Sequence, residues 1–268
     1  VVKYTVDETI KQINLFDERF YQIDGKDIFS VTGWLEGFPK GFGFKEWLMN
    51  TKDPDAVRDE AAQRGSEVHR LIELTLLGHT VKWEEHQMKL EVWERFLGWC
   101  NFWKDLQSDP QETLKLKIGR KKIKSIETRE DFTEFITYDL DNNYAGTVDK
   151  MIKIIFDDDS FTFAVLDWKT GKNIYDTAYI QVATYMQSVK KQYKLKDLLG
   201  FVVQPGLSLN KNGYRVYPVE SPEEEFGVFK ATQQVYIRAF GNPKPKYKVY
   251  PTEVNLDFIK NNQIVKEN

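Results

Sequence analysis

Cysteine is nearly absent from this chain: Cys100 is the only one among 268 residues. No disulfide can form within it. A four-cysteine zinc site and a four-cysteine iron–sulfur cluster are both excluded. Such a chain suits a reducing compartment. Long apolar runs are missing too, and no stretch approaches the roughly 20 apolar residues of a bilayer span. Val1 to Phe16 lack the apolar region of a signal peptide. The expectation is an intracellular protein with no membrane partner, cytoplasmic if its source is bacterial or phage. Charge of one sign is not in excess either. Lysine and arginine number 38, aspartate and glutamate 41, for a net charge of −3. That balance removes the strongly basic chain of the simplest nucleic-acid binders, while leaving local basic patches open. Internal repeats, low-complexity tracts and Gly/Ser linkers are absent. What remains, 41% hydrophobic and 29% charged, is ordinary globular composition.

The hydrophobic period divides the chain. Residues 1–107 read as a mostly helical N-terminal region. Within it, 17–34 suggest a short hairpin turning at Asp24-Gly25, and Ser30 or Thr32 offers a helix cap. Pro54 to Leu77 reads as a helix, with Asp53 as N-cap and Gly78 at its end. Residues 83–107 repeat Trp93, Phe96, Cys100, Trp103 and Leu106 at helical spacing. Six of the seven tryptophans lie before residue 104, which a bulky helical core explains. Residues 108–240 change character. Stretches 114–128, 144–157 and 161–169 alternate like strands, and Asp157 to Ser160 marks a hairpin turn. Residues 176–194 read as helix, 201–204 and 214–219 as strands, and 222–240 as helix. The expected class is α/β (α+β): a central mixed sheet flanked by helices, with the helical region in front. Residues 241–268 read as a C-terminal extension, and the whole as one compact domain.

The informative stretch is Ala145-Gly146-Thr147-Val148-Asp149, followed by Val165-Leu166-Asp167-Trp168-Lys169. On a strand, side chains two apart share a face, so Asp167 and Lys169 project together. A hairpin turning at Asp158 and Asp159 sets Asp149 beside Asp167 across the ladder. Two carboxylates crowded on one face repel, and a divalent cation or an altered protonation state relieves this. Mg²⁺ takes carboxylate oxygens, and a bound metal polarises phosphate and acidifies water. A lysine beside that water orients it or stabilises the developing charge. A lone D-x-K is more often a solvated strand pair. The two aspartates at hairpin spacing are a stronger signal. Gln181 and Tyr185 share one helix face just downstream; alone they read as a surface glutamine and a half-buried tyrosine. His69 shares a helix face with Gly65, Ile72 and Leu76, so it points inward, either as a core histidine or as a third metal ligand. Glu73, four residues on, is its hydrogen-bond partner or simply solvated.

Five pieces in order resemble the PD-(D/E)XK nuclease superfamily, in its RecB-like exonuclease branch. They are Gly65 to Glu73 with His69 inside, Ser125-Ile126-Glu127, Gly146 to Asp149, Asp167-Trp168-Lys169, and Gln181 with Tyr185. Upstream, Ser30 to Trp34, Pro39 and Trp47 are similar to the N-terminal region of mitochondrial genome maintenance exonucleases and their phage and bacterial relatives. The resemblance runs from residue 30 to about 190. It implies hydrolysis of DNA on a restriction-endonuclease-like core spanning 108–240. It also implies Mg²⁺ or Mn²⁺ held by Asp149, Asp167, His69 and the Trp168 carbonyl, with Lys169 catalytic. Gln181 and Tyr185 would position the DNA strand or the lysine, and Glu127 would support the site from the neighbouring strand. The single cysteine departs from the iron–sulfur members of the branch. No Walker A loop is present, so no nucleotide cofactor is expected.

Residues 115–124 carry Lys115, Lys117, Arg120, Lys121, Lys122 and Lys124 and no acid. They read equally as an edge strand guarded by lysines and as a phosphate-contacting surface. Lys244, Lys246 and Lys248 form a weaker patch. Trp34, Phe38, Phe42 and Phe44 lie among glycines; core packing is the commoner role, base stacking the alternative. The function expected is an exonuclease on single-stranded DNA or DNA ends, working alone or with a recombination or replication partner. An endonuclease of the same fold and a non-catalytic DNA-binding or recombination-partner protein stand as alternatives.

Overall fold

The alternating stretches after residue 120 build a five-stranded sheet, and its register determines which carboxylates meet. The computed structural model describes residues 2–4, 10–15, 18–83, 89–116, 119, 121–245, 248–249 and 266–267; for the strands at 2–4, 10–15, 248–249 and 266–267 it describes backbone alone. The strands of this sheet are β5 (Ile123–Asp139), β6 (Tyr144–Phe156), β7 (Phe161–Trp168), β8 (Leu198–Pro205) and β9 (Tyr214–Pro218), in that spatial order. Only β7 and β8 run parallel, and helix α6 (Asp176–Tyr193) makes the crossover that such a pair needs. The protein is thus mixed α/β, with a central five-stranded mixed sheet flanked by helices.

Alternation sorts the side chains into two apolar layers. Val165 and Val202 face α1 (Val31–Leu35), α6 and α7 (Pro222–Phe240), where Trp34, Val182, Met186 and Phe229 are buried. Ala164, Leu166, Phe201 and Val203 face α3 (Pro54–Leu76) and α4 (Leu90–Ser108), where Val68, Ile72, Phe96, Trp99 and Phe102 are buried. Asp53 caps α3 by accepting from the Ala56 N–H, and Ser30 caps α1 by accepting from Gly33. Trp34 also donates to the Asn143 carbonyl at 2.9 Å, pinning α1 to the β5–β6 turn; its role is packing. Phe38 packs on the same core. Helix α2 (Phe42–Asn50) buries no side chain.

Three expectations need correction. The N-terminal region does not open as helix: β1 (Val2–Tyr4), β2 (Ile10–Leu15), β3 (Glu18–Ile23) and β4 (Lys26–Phe29) form an antiparallel four-stranded sheet. The Asp24-Gly25 turn is its last hairpin, and Tyr21, Ile23 and Ile28 pack on Ala145 of β6. The strand expected over 114–128 begins only at Ile123 and runs to Asp139, with a short helix, α5 (Pro110–Thr113), before it. Its second half was hidden because Arg129-Glu130-Asp131 interrupts the alternation where the chain bulges. Thr128 pairs with Ile152 but Thr133 with Lys150, so three extra residues leave the ladder. The helical pattern from residue 83 becomes regular helix α4 at Leu90, and residues 84–88 lie outside the described ones. Among the described residues no helix is long and apolar enough to cross a membrane. Strands β10 (Lys248–Val249) and β11 (Lys266–Glu267) pair with each other.

Candidate functional site

The site forms under α3 where β7 ends against the middle of β6, beside the bulge of β5. On β6 and β7 the last ladder pair is Lys150 with Leu166, so the next residues, Asp149 and Asp167, fall opposite one another. On β5 and β6, Thr133 pairs with Lys150 and Phe135 with Val148, so Glu134 falls opposite Asp149. Without the three-residue bulge, continuing the earlier register would put Asp131 there instead. Glu134 carries a left-handed φ of 48°, uncommon for a residue with a side chain. Lys150 holds the bulge. The residue is 2% exposed, and its ammonium donates to the Arg129 carbonyl at 2.7 Å and to Thr133 Oγ1 at 2.6 Å.

Helix α3 brings His69 down onto these strand ends. Its Nδ1 lies 3.3 Å from Asp149 Oδ1 and 3.9 Å from a Glu134 oxygen, and its Nε2 lies 3.1 Å from the Trp168 carbonyl. One ligand atom from each of His69, Glu134 and Asp149 lies within 4.8 Å of the others. The second Asp149 oxygen accepts the Trp168 N–H at 2.6 Å, which locks β6 to β7 just beyond their ladder. Asp167 is 1% exposed, and Lys169 Nζ stands 2.7 Å from its Oδ2. Lys169 also donates to Gln181 Oε1 at 3.0 Å. Gln181 Nε2 donates to Asp167 Oδ1 at 3.1 Å and to the Tyr185 hydroxyl at 3.0 Å. One face of α6 thus clamps both the acid and the lysine. Gly146 is required here: a Cβ on it would run into the Tyr185 ring. Beside it Tyr21 of β3 pairs with Thr147 Oγ1 at 3.0 Å, so the N-terminal sheet braces the same strand.

The titratable groups answer to one another. Burial raises Asp167, Lys169 beside it works the other way, and the like charge of Asp149 adds to the rise; its pKa reaches about 6. Burial also works against ionised Asp149, but His69 first and Lys169 next outweigh it, and its pKa falls below the ordinary value. His69 loses by burial and gains more from Asp149 and Glu134, so its pKa stands well above the usual imidazole value. Burial raises Tyr185 well above a free phenol, and it stays protonated. Asp149 is therefore the ionised member of the pair, and Asp167 is the one frustrated by its surroundings.

This is the electrostatic condition of a cation site. Asp167 Oδ2 is buried and has no aligned hydrogen bond, only the lysine nearby. The donor set is imidazole and carboxylate, with no thiol, and it fits a hard or borderline divalent ion.

Other sequence-expected residues lie elsewhere. Glu73 is one turn past His69 on α3 and, among the described residues, its carboxylate has no hydrogen-bond or ion-pair partner. His69 faces Glu134 instead. Glu127 pairs with Lys153 at 2.9 Å, before the bulge, where Lys153 lies opposite Phe163 rather than near Asp167. On the same strand it is Glu134 that reaches His69 and Asp149. Lys121 pairs with Asp158 at 2.8 Å and Lys124 with Asp159 at 2.6 Å, both at the β6–β7 hairpin tip. Lys115 and Lys122 are exposed, and Lys117 and Arg120 lie outside the described residues. Lys244 is exposed, Lys246 lies outside the described residues, and Lys248 belongs to β10. No protein-family model matches the chain, and no curated protein matches it.

Proposed function

We propose that this chain is a metal-dependent deoxyribonuclease of the PD-(D/E)XK kind, similar to the RecB-like branch. We further propose that it acts as an exonuclease on single-stranded DNA or DNA ends. The observation that carries the reading is the meeting of Asp149 in mid-β6 with Asp167 and Lys169 at the end of β7, with His69 and Glu134 closing the group.

In this reading Asp149, Asp167, His69 and Glu134 hold Mg²⁺ or Mn²⁺, and the Trp168 carbonyl sits within reach of the same group. The bound ion supplies Lewis-acid polarisation of the phosphate and acidifies water. The chain's own groups do the rest. Lys169, held between Asp167 and Gln181, has a third N–H to orient the attacking water or to stabilise charge growing on the phosphate. Gln181 spends both amide hydrogens on Asp167 and Tyr185, so the acid and the lysine move as one unit. Tyr185, neutral and buried, adds no charge to a site already crowded with carboxylates.

The test is digestion of end-labelled single- and double-stranded DNA with Mg²⁺, with Mn²⁺ and with chelator. Metal-dependent release of nucleotides, lost in Lys169→Ala with the fold retained, is the expected result. Wild-type-like cleavage by that variant, or no cleavage by the native chain with either metal, refutes the reading. A closed single-stranded circle separates exonuclease from endonuclease: an end-dependent enzyme leaves it intact.

A further inference from the structure

Near Thr170, which follows Lys169, two arginines share one carboxylate. Arg64 of α3 and Arg95 of α4 keep only 18% and 13% of their side chains exposed. Both address one carboxylate, Glu91, at 3.2 Å from Arg64 Nη1 and 3.9 Å from Arg95 Nη1. Glu91 itself is 62% exposed. Arg64 Nε is buried and, among the described residues, has no hydrogen-bond partner. Arg95 Nε donates to the Thr170 carbonyl at 2.8 Å, and its Nη1 to the Glu91 carbonyl at 3.1 Å. Burial, and next the like charge of Arg64, lower the Arg95 pKa. Among the described residues the two guanidinium groups share one ion-pair partner, Glu91, while Glu94 acts on Arg95 and Glu60 on Arg64 at longer range. Helix α4 begins at Leu90 without a side-chain cap, so its first N–H groups add to the same positive field.

The location gives that charge a purpose. Thr170 directly follows Lys169, and Gly65, next to Arg64, comes so close that a Cβ on it would stand 3.2 Å from Thr170 Oγ1. Arg64 precedes His69 by five residues, about 7.5 Å along the helix axis. Arg64 is also turned about 140° around the helix from His69, so its place beside the centre rests on the Thr170 contacts of Gly65 and Arg95. Guanidinium forks match phosphate oxygens in two-point geometry, and an exposed carboxylate is readily exchanged for one.

We propose that Arg64 and Arg95 form a phosphate-binding subsite adjoining the metal centre, and that Glu91 holds its place until a phosphate displaces it. The subsite rests on the nuclease reading for its ligand, a phosphate near the bond that is cut. That phosphate is either a terminal monoester or an internal diester.

Arg64→Gln in the full chain is expected to raise KM for single-stranded DNA about tenfold with kcat nearly unchanged. It should also lower the slope of log Kd against log salt by about one, read by anisotropy with Ca²⁺ in place of Mg²⁺. Glu91→Gln should move affinity the other way, several-fold tighter. Glu127→Gln removes the same charge at a distance and should leave affinity unchanged. Loss confined to end-phosphorylated strands assigns the terminal phosphate, and equal loss on end-hydroxyl strands assigns an internal one; either supports the subsite. Unchanged KM and salt slope in a folded Arg64→Gln overturn it. So does a Glu91→Gln variant that binds no tighter than Glu127→Gln, and this arm stands even if Arg64→Gln does not fold. If the native chain neither binds nor cuts DNA, the nuclease reading fails on its own, and inorganic phosphate becomes the probe. A phosphate-induced rise in thermal midpoint that Arg64→Gln abolishes then keeps the subsite, and no rise in the native chain ends it.

Discussion

Asp167 is the residue at which stability and function pull apart. Its ordinary pKa is 3.8, and burial carries it to about 6 in the folded chain. Between those values the folded protein holds a proton that the unfolded chain has released. Stability therefore falls as pH rises from about 4 to about 6, and the full cost persists above that. Asp167→Asn removes the ionisation. Without metal, its thermal midpoint should exceed the native one by a margin that grows from pH 4 to pH 6 and then levels. Mn²⁺ at pH 7 should raise the native midpoint and not that of the variant, which should also be inactive. A constant margin across the pH range counts against the assignment. The neighbouring glutamate carries a second expectation. Glu134→Gln should weaken Mn²⁺ binding by about 10- to 100-fold in calorimetry, whereas Glu73→Gln and Glu127→Gln should leave it unchanged. Asp149, Asp167, Lys169 and His69 were legible because strand parity and helix parity act locally. Glu134 was not, because nothing local tells how many residues a bulge removes from a ladder.

At the scale of elements, the β5 bulge and its lock decide which acid reaches His69. Lys150 alternates with Asp149 on β6 and spends its ammonium on the Arg129 carbonyl and Thr133 Oγ1. Lys150→Met keeps the stem's packing and removes two charge-assisted hydrogen bonds, each worth about 1.5–3 kcal/mol. With the lock gone, β5 is freed towards the register that presents Asp131. The expected result is weaker Mn²⁺ binding and loss of cleavage in a chain that still unfolds cooperatively. Retained metal affinity would mean that the bulge holds its register without the lysine. Gly146 tests the opposite face of the same strand. Gly146→Ala forces the Tyr185 ring away, costs about 1–3 kcal/mol of overpacking, and loosens the Gln181 clamp on Lys169. Helices read well in the sequence because their signals are caps: Asp53, Pro54 and Ser30 each do what their chemistry suggests. The N-terminal sheet read poorly because only its final hairpin carries a strong turn signal.

At the scale of the molecule, charge is divided along β6 and β7. Their hairpin tip carries Asp157, Asp158 and Asp159, and the start of β5 lays Lys121 and Lys124 on those acids. The candidate centre lies at the far end of β7, beside the middle of β6. Phe161 and Asp167 are six residues apart, about 20 Å along an extended strand. The six basic residues at 115–124 are conspicuous in a linear reading, which cannot show that a downstream acidic turn folds back to neutralise part of them. Arg64 and Arg95, far apart in sequence and unremarkable there, are the cations that folding brings together over Glu91, with Arg95 bonded to the Thr170 carbonyl next to Lys169. The two sets can be separated by experiment. Lys121→Ala with Lys124→Ala should leave the salt dependence of DNA binding and the cleavage rate unchanged. The thermal midpoint should barely move, since exposed ion pairs contribute little and are screened by salt. A marked loss of DNA affinity in this double variant would move the nucleic-acid path to the hairpin tip. A strand reaching both places would then have to run the length of β7.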